Sequence, residues 1–265
     1  MTACPKSEEP TMNAPRRAPA GSAVSAHPAK GTTLPTDAAL PGDRPEFTAR
    51  AAERREMVKN AIAARGVLDP RVLSAMRRVP RHLFVPEALQ GSAYADRPLP
   101  IGDGQTISQP FIVAFMSDAA RIQPTDNCLE IGTGSGYQAA VLAELCKRTA
   151  SIEYLPSVAR RGADNLRRAG YLGRVQLRTG DGYVGWPEEA PFDVILVTAA
   201  PETTPAPLLE QLAVGGRLVI PLGRRDGAQE LRRITRTAKG HGGLRSEKLL
   251  SVRFVPFLGD GGAAR

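Results

Sequence analysis

Two stretches of the chain gather the residues whose types and spacing can do chemistry. In "LEIGTGSGYQAA", Gly132, Gly134 and Gly136 are spaced G-x-G-x-G, with Thr133 and Ser135 between them and Glu130 just before. Glycines between an apolar run and a helix let the backbone turn tightly and approach a ligand closely. Glu153 closes the next apolar run, and Asp181 with Gly182 follows the third in "GDG". If those runs are neighbouring parallel strands, their ends converge on one crevice. Glu153 then reaches a ribose hydroxyl pair and Asp181 an adenine edge. The second stretch, "PIGDGQTISQPFIVAFM", sets the hydroxyls of Thr106 and Ser108 and the amides of Gln105 and Gln109 directly before an apolar helix.

Two cofactors share the first geometry. A dinucleotide needs helix N–H groups for its pyrophosphate, usually with G-x-G-x-x-G spacing. S-adenosylmethionine has no phosphate but carries a sulfonium, so an acid-rich crevice and the spacing found here suit it better. Ser108 by itself has a plainer reading as a helix cap before Pro110.

These residues need elements to hold them. Val58, Ala61, Ile62 and Arg65 share one face of a helix that Gly66 can end, and "DPRVLSAMRRV" predicts a short helix capped by Asp69 with Pro70 in its first turn. "VPRHLFVP" reads as a packed loop in which His82 is structural. Phe111, Ile112, Phe115, Met116, Ala119 and Ala120 predict the apolar stripe of a helix. Strands over "NCLEIG", "TASIE", "RVQLR" and "FDVILVTAA" then alternate with helices over "SGYQAAVLAELCK" and "LPSVARRGADNLRRAG". "APLLEQLAV" reads as a helix closed by Gly215 and Gly216. "GRLVIPLG", "ELRRITRT" and "LLSVRFVPF" read as late, partly antiparallel strands. The alternation predicts an α/β fold with a doubly wound, mostly parallel sheet.

Composition bounds the function classes. The 265 residues are 42% hydrophobic, enough for a sizeable core, and no apolar run approaches the ~18–20 residues that span a bilayer. No charged-then-apolar export pattern opens the chain. Cys4, Cys128 and Cys146 are scattered and make no metal-ligand spacing, which together with the missing export pattern predicts a reducing cytoplasm and no metal. The net charge of +8 is spread among acids and apolar residues, as on a solvated basic surface, so neither a nucleic acid nor a membrane is expected as partner. Residues 1–46 are rich in proline and poor in large apolar side chains, which predicts a disordered extension.

The ordered set "VPRHLFVP", "PLPIGDGQTISQP", "LEIGTGSGYQAAVLA", "GDGYVGW", "PFDVILVTAAP", "LLEQLAVGGRLVIPLG" and "VRFVPF" resembles the protein-L-isoaspartate O-methyltransferases over roughly residues 50 to 258. The glycine loop is common to many methyltransferases, whereas "GQTISQP" and "RFVPF" are far more specific. The resemblance implies a Rossmann-like class I methyltransferase with a sheet of about seven strands and helices on both faces. It implies methylation, from S-adenosylmethionine, of the α-carboxylate of L-isoaspartyl residues in proteins and peptides, the ester then collapsing through a succinimide toward aspartate. It matches Ser108 to the family's active-site serine, with Thr106, Ile107 and Ser108 as substrate-binding residues. It matches Glu130, Gly132, Thr133, Gly134, Ser135, Gly136, Glu153, Asp181, Gly182 and, less securely, Gln229 to cofactor contacts. Phe111 departs from the tyrosine the family often has, and the segment before Phe47 is extra. The expected organisation is an extension (1–46), a methyltransferase domain (47–258) with an N-terminal helical substrate-binding segment, and a flexible tail (259–265), in a monomer. Another acceptor, or an inactive module that holds isoaspartyl proteins, stays open.

Overall fold

Apolar runs of β-branched residues and leucine, punctuated by glycines, alternate with helices through most of the chain, and their pairing decides where the crevice lies. The structure, a computed structural model, describes residues 45–225, 227–238 and 243–259. The expected extension over 1–46 lies outside them except for Pro45 and Glu46, and the expected tail over 259–265 except for Gly259. Pro45 opens α1 (Pro45–Thr48), so the helical part begins just ahead of Phe47.

After α1, α2 (Ala51–Glu56) continues through a π-helical stretch, Met57–Ile62, and a 3-10 turn to Gly66. Val58 and Ile62 are fully buried, as their spacing predicts. The changes of helix type break the 3.6-residue period, and Arg65 ends exposed. Helix α3 (Pro70–Arg78) starts as read, with Asp69 accepting from the Arg71 amide at 2.8 Å. "PIGDGQTI" is more ordered than a polar loop. It forms a hairpin of β1 (Leu99–Gly102) and β2 (Gln105–Ile107) around Asp103 and Gly104, both at positive φ. An Asp-Gly pair in that conformation is the favoured two-residue hairpin turn.

Helix α4 (Pro110–Ala119) is buried more widely than a single stripe. Val113, Ala114 and Ser117 are covered, whereas Ile112 and Phe115 are only partly so. Its cap position is Gln109, with no side-chain cap bond. Asp96, from the preceding loop, instead accepts from the Phe111 amide at 3.0 Å and from Gln109 Nε2 at 2.7 Å. The helix-cap reading of Ser108 is thereby removed.

Then follow β3 (Asn127–Ile131), α5 (Tyr137–Leu145), β4 (Arg148–Glu153), α6 (Pro156–Arg168), β5 (Val175–Thr179), β6 (Phe192–Val197), α7 (Ala206–Glu210), β7 (Leu212–Leu222), β8 (Gln229–Arg236) and β9 (Leu244–Val252). They form one seven-stranded sheet in the order β5-β4-β3-β6-β7-β8-β9. Pairing is parallel from β5 to β7 and antiparallel at β7/β8 and β8/β9. Helix α7 ends at Glu210, and the residues expected to prolong it run straight into β7, so Gly215 and Gly216 lie in a strand. Strand β9 ends at Val252, and "RFVPF" is irregular backbone tied to Ala200 by a bridge at Pro256. The two faces are unequally covered. Cys128, Val194, Leu196 and Val219 pack into the core that includes α3, α4 and α5; Leu129, Ile131, Ile195 and Val197 pack with Leu208 of α7 on the other face.

Cys128 and Cys146 are joined by a disulfide, their Cα atoms 6.3 Å apart. This corrects the reading of the cysteines as scattered. The fold returns the end of α5 to the start of β3, which sequence spacing does not reveal.

Helix α6 docks on the glycine loop through Gly162, where a Cβ would lie 2.9 Å from the Gly134 carbonyl oxygen. Helix propensity favours alanine there by about 1 kcal/mol, but the obstacle is backbone and cannot turn away. Gly162→Ala should therefore destabilise the protein by about 1–3 kcal/mol, read as a lower urea midpoint. A midpoint at or above wild type would show that the loop gives way freely.

Candidate functional site

Strand β3 lies between β4 and β6, and the chain leaves those neighbours in different directions, so the carboxyl end of β3 opens into a crevice. The glycine loop fills that end. Gly132 and Gly136 have φ of 97° and 87°, and a Cβ on Gly132 would come within 2.5 Å of Thr198 Oγ1. Thr198, just past β6, donates instead to the Gly132 carbonyl at 2.7 Å. Asn165 of α6 donates to the Ser135 carbonyl at 2.9 Å. The loop is thus held from β6 and from α6, neither of which the motif itself announces.

Glu153, at the tip of β4, is buried and lines the cleft. Its two carboxylate oxygens accept from the amides of Gly134, at 2.9 Å, and Leu155, at 3.0 Å. Each keeps a lone pair for a further donor. Glu130 is fully buried beside it. Ser151 Oγ donates to Glu130 Oε2 and shares a 2.6 Å hydrogen bond with Thr133 Oγ1, while Glu130 Oε1 has no partner. Burial pushes this carboxyl from 4.5 up to about 8; the Ser151 hydrogen bond opposes the shift and the Glu153 charge adds to it.

The structure brings most of the expected residues together. Thr106, Ile107, Ser108, Glu130, Gly132, Thr133, Gly134, Ser135, Glu153 and Gly182 line one cleft. Gly136 sits behind it, packed on α6. Asp181 does not line the cleft: its Oδ1 accepts from the Tyr183 amide at 2.8 Å and caps the turn that presents Gly182. Gln229 does not line it either. It is buried at the start of β8, accepting from the Phe254 amide at 2.6 Å and donating to the Phe254 carbonyl at 3.3 Å. Its part is to hold the segment Phe254–Phe257, whose Val255, Pro256 and Phe257 form a wall of the cleft. A long-range tie of this kind has no signal in sequence spacing.

A second groove adjoins the cleft. Thr106 and Ser108 line both, and the groove runs on between Arg65, Phe111 and the end of β9. The Arg65 guanidinium lies 3.5 Å from the Phe111 ring centroid and pairs with Asp96 at 2.8 Å. His82 is turned away, its Nδ1 2.8 Å from the Tyr94 hydroxyl, as its structural reading predicts. Among the described residues no group of His, Cys, Asp and Glu could hold a metal ion, and no helix is long and apolar enough to cross a membrane.

Comparison with known proteins adds an independent line. A family model described as Protein-L-isoaspartate(D-aspartate) O-methyltransferase matches residues 52–261. A relative from Picosynechococcus sp. named Protein-L-isoaspartate O-methyltransferase is 54% identical over 208 residues, covering 78% of this chain and 91% of its own. One of the same name from Opitutus terrae is 56% identical over 210 residues, covering 79% and 88%. A solved Plasmodium falciparum structure, named as a protein-L-isoaspartate O-methyltransferase in complex with S-adenosyl-L-homocysteine, aligns with a TM-score of 0.68 at 25% identity, covering 77% of this chain and 98% of its own.

The Glu130 carboxyl makes stability depend on pH in a definite direction. Unfolded, it ionises near its ordinary 4.5; folded, it keeps its proton to about 8. Between those values the folded state binds more protons. This group's contribution to stability therefore falls as pH rises through the window, by up to about 1.4 kcal/mol per pH unit, and levels off above it. Glu130→Gln should remove that slope, so the variant gains on wild type between roughly pH 5 and pH 8. Urea unfolding of both proteins across the range measures it, and parallel curves would contradict the assignment.

Proposed function

The chain belongs to the protein-L-isoaspartate(D-aspartate) O-methyltransferase family, and on that premise we propose that it is a protein-repair methyltransferase, moving the methyl group of S-adenosylmethionine to the α-carboxylate of L-isoaspartyl residues in damaged proteins and peptides. The observation that carries the reading is the double position of Thr106 and Ser108. They stand where the cleft with the glycine loop and Glu153 meets the neighbouring groove, which is where methyl donor and acceptor would have to meet.

The cleft fits a cationic nucleoside. Glu130 Oε1 is a buried oxygen without a partner, Glu153 keeps lone pairs at a strand tip, and at Gly134 the loop leaves room for close approach, the nearest atoms lying 4.0 Å from where a Cβ would stand. We assign the ribose hydroxyls to Glu153, the amino-acid end and its cation to Glu130 with the Gly132–Gly136 loop, and the adenine to Gly182. Asp181 and Gln229 support this set through the turn and the segment they hold.

When bound, the cofactor supplies a methyl group on a positively charged sulfur. The acceptor carboxylate is already ionised at neutral pH, so no side chain has to remove a proton. Thr106 and Ser108 donate hydrogen bonds that fix its direction, and alignment of this kind is the main contribution asked of the protein. Transfer joins an anion to a cation, and the walls formed by Ile107, Val113 and Phe257 keep water from stabilising the separated charges. Ser108 is a positioning donor and forms no covalent intermediate.

We assign the activity to residues 47–258, acting as a monomer, and none to 1–46 or 259–265. We also propose a cytoplasmic location. The Cys128–Cys146 disulfide is the observation against it, since thiols stay reduced there, and trapping the thiols in cells decides the matter.

Glu153→Ala should weaken S-adenosylmethionine binding by roughly 1.5–3 kcal/mol, the range for a hydrogen bond to a charged group. Calorimetry showing wild-type affinity in a folded variant would sink that assignment.

Ser108→Ala should leave cofactor affinity nearly unchanged and lower kcat/KM for an isoaspartyl peptide by about 10–100-fold, the cost of one lost positioning hydrogen bond. The aspartyl twin of the peptide should not be methylated. Equal turnover by the variant, at equal folded concentration and saturating cofactor, would remove Ser108 from the acceptor site. Cofactor binding without turnover of either peptide by the wild type would point to another acceptor or to a binding module.

A further inference from the structure

Arg81, in "VPRHLFVP", is the largest of the fully buried side chains, and nothing in the reaction described above uses it. Burial lowers its pKa only to about 10, so it remains a cation at neutral pH. Among the described residues no carboxylate pairs with it. Its Nε donates to the Ala93 carbonyl at 2.8 Å, and its Nη2 donates to the Ser108 carbonyl at 2.7 Å. Its guanidinium carbon lies 4.8 Å from the centroid of Tyr137, the first residue of α5 after Gly136. Its Nη1 is buried without a hydrogen-bond partner.

Stability alone does not account for such a residue. Placing a charge in a core is costly, and apolar replacements of buried ionic groups are often neutral or stabilising. What Arg81 does that an apolar side chain cannot is join two carbonyls through a planar fork of fixed geometry. One of them belongs to Ser108. On the far side of Ser108, Asp96 holds the Gln109 amide and the Phe111 N–H. The backbone just after the Ser108 side chain is therefore anchored twice, at its own carbonyl and at Gln109 and Phe111, while Ile107 before it pairs with Leu99 in the hairpin; the Arg81 anchor also rests on the helix that follows the glycine loop.

We propose that Arg81 is a positioning residue of the acceptor site, whose guanidinium fixes the backbone of Ser108 so that the hydroxyl meets the acceptor carboxylate in line with the bound cofactor. This rests on the reading of Ser108 as the carboxylate's donor.

The test is a double-mutant cycle of Arg81 with Ser108, read in kcat/KM for an isoaspartyl peptide and normalised to the concentration of sites that bind S-adenosylmethionine by calorimetry. Arg81→Lys keeps the charge but loses the fork; Arg81→Met keeps the stem and loses both. Each should lower kcat/KM by roughly 10-fold or more with cofactor affinity held within about 3-fold. In the Ser108→Ala background the same changes should cost less than about 2-fold, because the group they position is gone. Full additivity with an effective Ser108→Ala would overturn the proposal alone. A harmless Ser108→Ala would overturn it together with the acceptor reading. Wild-type kcat/KM in either Arg81 variant would overturn it, and so would failure of both variants to bind cofactor, which would make Arg81 a structural support of the fold.

Discussion

Strand β3 has a bare carboxyl end because the sheet grows away from it on both sides, to β4 and β5 in one direction and to β6 and β7 in the other. No crossover helix passes over a strand end placed this way, so the amides, carbonyls and carboxylates there must find partners of another kind. The glycine loop, Glu153, Thr198 and the Ser151–Thr133 pair are that set of partners. Each closes part of the opening, and what they leave open is the cleft.

The two acids at this end have different surroundings although their strands are adjacent. Glu153 takes two backbone N–H groups, from Gly134 and Leu155. Glu130 receives one hydroxyl and keeps one oxygen bare in a fully buried place, which favours its proton. Register explains the difference. Glu130 pairs with Ser151 inside the sheet, whereas Glu153 lies one step beyond the last β3 partner and meets the loop.

The acceptor side is assembled from more distant pieces. The β1–β2 hairpin brings Thr106 and Ser108 to the cleft, Asp96 caps α4 from outside, Arg81 reaches the Ser108 carbonyl through the core, and Gln229 holds the wall that carries Phe257. These contacts come from side chains that are not neighbours of the groups they fix. The side lined by the hairpin is thus made of loops pinned at a few points, while the side around the glycine loop is made of strand ends in fixed register.

Much of this was legible in the amino-acid sequence. The strand–glycine–helix unit, the acids Glu130 and Glu153 on successive strands, the capped α3, the doubly wound order and the "TISQP" segment all depend on residues close together in the chain, and local periodicity and turn chemistry encode such features. Other features depended on tertiary contact. Asp96 in place of Ser108 as the cap of α4, the commitment of Gln229 to Phe254, Gly162 against the Gly134 carbonyl, Arg81 behind Ser108 and the Cys128–Cys146 bond all join residues far apart in sequence. The boundary between α7 and β7 was also decided this way. "QLAV" has an apolar pattern that suits either element over so short a run, and the pairing of Leu212 with Phe192 on β6 settles it as strand. The sequence by itself determined which chemistry the chain carries, because residue types and short spacings state it. Which of those side chains reach the cleft, and which hold it open, only the tertiary structure decided, because that depends on distances the spacing does not contain.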